Sequence, residues 1–192
     1  MKTVLFIGNS FTFYHHMPET VASRLEQAGC PHQVESLTKG GWFLSRYADP
    51  EDKYGALLRQ RHLNRHWDIL VLQDQSFNPV DNFQDFLEGA RKLQQLLKPD
   101  KLLLYQTWAY EDGTDKLNET GLSYEQMHLS LKQAYARVAT ELGGIVVAVG
   151  DRFAQYKLEH PEINLYKEDH FHPSLEGTEL VVEEFVRAIL AK

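Results

Sequence analysis

The run Thr3-Val4-Leu5-Phe6-Ile7 is apolar almost throughout and gives way at once to Gly8-Asn9-Ser10-Phe11-Thr12. A short run without polar alternation is what a strand buried on both faces requires. Similar runs return at Asp68–Leu72, Lys101–Tyr105 and Ile145–Val149, and a weaker one, Gln33–Leu37, reads as an edge strand. Between them lie amphipathic stretches with helical spacing. Phe83, Leu87, Ala90 and Leu97 share a face of Asn82–Leu97, which stops at Lys98-Pro99. Met127, Leu131, Ala134, Val138 and Leu142 do the same behind a capping box of Ser123 and Gln126, and Gly143-Gly144 closes that helix. Pro18 opens a helix carrying Val21 and Leu25, ended by Gly29; Ser174 caps a last one carrying Val181, Phe185 and Ile189. Pro50 to His66 also reads as helical.

Strand–helix alternation of this kind predicts an α/β fold with a parallel sheet and helices on both faces. The 192 residues, 43% hydrophobic, suit one domain spanning 1–192, and no repeat or linker interrupts them. Twenty Lys plus Arg face 27 Asp plus Glu, a formal charge of −7. An acidic surface disfavours phosphate backbones, so no nucleic-acid partner is expected. No apolar run is long enough to cross a bilayer, the start does not read as a signal peptide, and the lone Cys30 makes no internal disulfide. A cytoplasmic protein with no membrane partner is the expectation.

In doubly wound sheets, ligands sit beyond the carboxyl ends of the strands, so function is read there. Ser10 follows the first run as an exposed hydroxyl where a nucleophile would stand, or as a plain turn residue. No GxGxxG, GxxxxGK[ST] or GxSxG is present. Gly40-Gly41 follows the second run and can point N–H groups at a ligand. Gln73 and Gln75, two residues apart after the third, can offer amides to an oxyanion or hold loops. Trp108 and Tyr110 follow the fourth, and Trp42 follows the glycine pair; all three suit a substrate wall or a core. Ahead of the last helix stands Asp169-His170-Phe171-His172-Pro173. A carboxylate three residues before an imidazole can reach its Nδ1 and leave Nε2 for a hydroxyl. The same Asp169, His170 and His172 could instead hold a metal.

Taken together and in order, these blocks resemble those of the SGNH hydrolases, the GDSL esterase/lipase superfamily. Gly8-Asn9-Ser10 is similar to its GDS or GNS block, Gly40-Gly41 to its glycine block, and Asp169-x-x-His172-Pro173 to its final DxxH block. The resemblance implies a three-layer α/β/α fold with flavodoxin-like strand order 2-1-3-4-5. It implies Ser10 as nucleophile, His172 as general base and acid, and Asp169 as its orienting partner. The N–H groups of Ser10 and of Gly41 or Gly40 would bind the oxyanion. The third block departs: Gln73-Asp74-Gln75-Ser76 stands where the family has GxND. Register puts Gln75 in the Asn position, while a QGES-like run in some carbohydrate esterases of the superfamily points to Gln73. The resemblance thus implies a cofactor-free serine esterase acting on small, acetyl-type esters of a carbohydrate. A silent binding module on the same fold, or a metal-dependent hydrolase, is the alternative.

Overall fold

The computed structural model describes residues 1–191. Its centre is a sheet of five parallel strands in the order β2-β1-β3-β4-β5. These are β1 Lys2–Gly8, β2 His32–Thr38, β3 Ile69–Leu72, β4 Lys101–Tyr105 and β5 Ile145–Val147. The expected architecture and strand order are therefore both present. Val4 lies between Val34 and Ile69 in register, and Ile7 between Leu37 and Leu72. Val4 to Ile7 and Ile69 to Leu72 are all buried, which is why neither run alternates.

The helices are α1 Ser10–Phe13, α2 Met17–Gln27, α3 Leu44–Ala48, α4 Lys53–His62, α5 Asn78–Asp81, α6 Phe83–Leu97, α7 Asp115–Asn118, α8 Tyr124–Leu142, α9 Val149–Glu159 and α10 Leu175–Leu190. α2 packs on α10, while α6 packs on α3 and beside α8. The caps form where the sequence puts them. Ser123 and Gln126 close both halves of the capping box on α8, Gly143 ends it in the left-handed region, and Ser174 accepts from Gly177 N–H. Among the described residues no helix is long and apolar enough to cross a membrane.

Two expectations change. The last run yields strand only through Val147, because Val149 already begins α9, a helix its pattern did not announce. A side chain at Gly150 would meet Thr107 O at 2.2 Å, so the first turn of α9 is pressed against the end of β4. The segment from Pro50 to His66 is helical only over α4, which Asp52 caps by accepting from Tyr54 N–H.

Candidate active site

Three strand ends and the loop before α10 meet at one edge of the sheet. β1 leaves through Gly8, where a Cβ would lie 2.4 Å from Thr12 Oγ1 and 2.6 Å from Gln73 Oε1. Only glycine lets those two side chains close over the turn. Asn9 then caps α1, its side chain accepting from Phe11 N–H, and Ser10 becomes the first helical residue. That position leaves the Ser10 N–H without an intrahelical acceptor.

Asn9 is nearly fully buried and does more than cap. Its Nδ2 donates to Trp42 O at 3.1 Å and to Asp74 O at 3.3 Å. One amide thus joins the Ser10 turn, the glycine loop and the end of β3. Asp74 anchors the same junction: its carboxylate accepts from Leu44 N–H at 2.8 Å and from Asn78 Nδ2 at 2.7 Å. Burial pushes this carboxyl up to about 6, although those bonds pull the other way.

On the opposite side, the two oxygens of Asp169 divide the work. Oδ1 accepts from His172 N–H at 3.0 Å and Phe171 N–H at 3.3 Å, which folds the loop. Oδ2 accepts from His172 Nδ1 at 2.8 Å, and Nε2 then accepts from Ser10 Oγ at 2.7 Å. Burial raises the Asp169 carboxyl, but the bonds from His172 and Phe171 outweigh it and hold the group below the usual carboxylate range. The imidazole is wedged among aromatic rings, with centroids 4.1 Å from Phe171, 4.4 Å from Tyr14 and 5.5 Å from Phe11.

A cavity of about 480 Å³ opens over this line, bordered by Ser10, His172, Gly40, Gly41, Gln75 and Tyr110. Gly41 has φ +67°, the left-handed conformation that glycine adopts freely. The two glutamines separate. Gln73 is fully buried, accepts from Asn9 N–H and Thr12 Oγ1 at 2.9 Å each, and donates to Asp74 O. Gln75 reaches the cavity, its Oε1 fixed by Phe77 and Asn78 N–H, its Nε2 resting 3.3 Å from Ser76 Oγ.

Of the three aromatic wall candidates, the structure brings Tyr110 alone to the cavity, with its hydroxyl 2.7 Å from Ser76 Oγ. Trp108 is buried between Phe11 and Phe153, stacked at 4.8 and 4.1 Å, and donates to Phe171 O. It braces the His172 loop instead of facing substrate. Trp42 lies beside Tyr54 with the Arg46 guanidinium over its ring and Nε1 donating to Asp52. The metal alternative also loses its geometry. His170 turns to Glu111, its Nδ1 2.7 Å from Oε2, and the one metal-ligand cluster among the described residues is His66, Asp68 and Asp100. Tyr14 does not stand out in the sequence; its signal is the i, i+4 spacing from Ser10. Asn9 and Asp74 lie inside the motif blocks, but their roles depend on contacts across the fold.

No protein-family model and no curated protein matches the sequence. Among solved structures, the chain is similar to a protein from Slackia heliotrinireducens provisionally assigned as an SGNH hydrolase. The identity is 26% and the TM-score 0.85, over 98% of each chain. It is also similar to an acetyl xylan esterase at 18% identity and TM-score 0.72, over 98% of this chain and 100% of that one. A variant acetylxylan esterase from Geobacillus stearothermophilus aligns at 16% identity and TM-score 0.62, over 100% of this chain and 95% of that one. The chain therefore resembles the SGNH hydrolase superfamily from end to end, shares its fold, and has carbohydrate esterases among its structural neighbours.

Proposed function

We propose that the chain is an SGNH-type serine esterase that removes small, acetyl-type acyl groups from a carbohydrate through an acyl-enzyme. The observation that carries this reading is the unbroken line Asp169–His172–Ser10, with bonds of 2.8 and 2.7 Å, ending in an open cavity. In it His172 takes the Ser10 proton as Oγ attacks the ester carbonyl. The carbonyl oxygen becomes an oxyanion facing the N–H groups of Ser10 and Gly41 or Gly40, with Gln75 Nε2 as the side-chain donor. Collapse breaks the ester C–O bond, and the imidazolium returns its proton to the departing alcohol. Water, deprotonated by the same imidazole, then attacks the acyl-enzyme and releases the acid and Ser10. Asp169 keeps its charge and holds the ring in the tautomer that leaves Nε2 free to accept. These steps use the chain's own backbone N–H groups and side chains, together with water.

Gln73 has no part in the oxyanion hole in this scheme, since it is fully buried and does not line the cavity, which Gln75 does. The acetyl preference is supported by the acetyl xylan esterases among the structural neighbours. The test is hydrolysis of an ester series from acetate to palmitate, alongside acetate release from acetylated xylo-oligosaccharides. Activity concentrated on acetyl esters supports the proposal; preference for palmitate overturns it.

A further inference from the structure

Beside the Ser10 cavity lies a second one of about 310 Å³ that the hydrolytic steps do not use. Gln75, Tyr110 and Lys116 border both, so the two chambers adjoin along that partition. The second chamber mixes two half-buried rings, Phe43 and Phe77, with the Asp81 and Glu119 carboxylates and the Thr120 hydroxyl. Lys116 stands at the partition, its Nζ 3.0 Å from Glu119 Oε2 and 5.7 and 5.4 Å from the ring centroids of Tyr110 and Phe171.

We propose that this second chamber is a subsite for an uncharged sugar ring beyond the one that carries the ester, so that the preferred substrate is an acetylated oligosaccharide of at least two rings. The inference rests on the esterase reading. The ester carbonyl must lie at Ser10 in the first chamber, and an acetyl group is too short to cross the partition, so the alcohol half crosses it. The chemistry of the wall selects what that half can be. A fatty chain would lie on the two rings and offer the exposed Asp81 and Glu119 carboxylates no partner. An anionic ring would meet two carboxylates, with Lys116 already paired to one of them. A neutral polyol satisfies both demands. Its hydroxyls donate to the carboxylates in charge-assisted bonds, and its C–H face lies against a phenyl ring. At about 30 Å³ per water the chamber has room for roughly ten waters, which is ample for one sugar ring.

The experiment compares kcat/KM on p-nitrophenyl acetate, an acetylated xylose and an acetylated xylobiose, for wild type, Phe77→Ala and Asp81→Asn. The expected result is that wild type prefers the disaccharide to the monosaccharide by about tenfold, and that both variants reduce this ratio severalfold. Asp81 is exposed, so its variant tests the subsite even if Phe77→Ala folds poorly. Equal efficiency on one ring and two in wild type, or a ratio unchanged in both variants, overturns the proposal. Failure of the esterase reading has a different signature, no hydrolysis of any of the three. Calorimetric titration of Ser10→Ala with acetylated xylobiose then decides the subsite: binding weakened by adding Asp81→Asn upholds it, and no binding, or binding unaltered by that change, overturns it.

Discussion

Replacing Asn9 with Asp restores the commoner GDS form of the first block and, on the geometry of this site, damages the protein. The side chain makes three neutral bonds in a nearly fully buried position: it accepts from Phe11 N–H at 3.2 Å and donates to Trp42 O at 3.1 Å and Asp74 O at 3.3 Å. At about 0.5–1.5 kcal/mol for each bond, Asn9→Ala should cost about 2–4 kcal/mol, a figure that includes the lost cap. Asn9→Asp keeps the cap but turns both donations into a carboxylate oxygen against carbonyl oxygens. It should therefore be no more stable than Asn9→Ala at neutral pH. Protonation would return one donor, so the folded state would hold a proton that the unfolded chain releases. The deficit should then grow as pH rises above about 4, the unfolded carboxyl value. Urea denaturation of the three proteins at pH 5 and pH 7.5 reads this directly, with kcat followed in parallel because the glycine loop is freed. An Asn9→Asp variant as stable and active as wild type at pH 7.5 would show that something else holds these loops.

The site sets three further outcomes. Asp169→Asn would donate to Nδ1 and leave the proton on Nε2, where it blocks acceptance from Ser10; kcat should fall by about 10⁴, and a fall under tenfold would contradict the orienting role. Gln75→Ala should lower kcat by about 10²–10³ with little change in KM. Gln73→Ala should act first on the melting temperature, since it strands Asn9 N–H and Thr12 Oγ1, and reversed phenotypes would show the glutamines to be misassigned. Carbon-13 NMR titration should give Asp74 a midpoint near 6. The folded carboxyl then keeps a proton that the unfolded chain loses, so its contribution to stability declines as pH rises from about 4 to about 6; a midpoint below 4 would show that the bonds from Leu44 and Asn78 outweigh burial.

The elements most legible in the sequence are those set by local chemistry. Continuous apolar runs marked β1, β3 and β4, because burial on both faces leaves no polar alternation to see. Ser123, Gln126 and Gly143 marked the ends of α8, because capping is decided within a few residues. Asp169 and His172 were legible for the same reason, since one tight loop joins them. What depends on distant partners was not legible. Period-two spacing put Gln73 and Gln75 on one side, but the missing side chain at Gly8 lets Gln73 close over the turn onto Asn9 N–H and Thr12 Oγ1, and Gln75 is left to the cavity. Trp108 follows β4 as a wall residue should, yet Phe11 and Phe153, from two other helices, close on both its faces. α9 escaped notice because its first residues, Val149 and Gly150, extend the apolar run of β5.

The central claim is that Ser10, activated by His172, is the nucleophile. Its most direct measurement is p-nitrophenyl acetate hydrolysis by wild type and Ser10→Ala, each with and without EDTA. Turnover should survive EDTA and vanish in Ser10→Ala, with the melting temperature of the variant nearly unchanged. Turnover retained by Ser10→Ala, or abolished in wild type by EDTA, would contradict the claim.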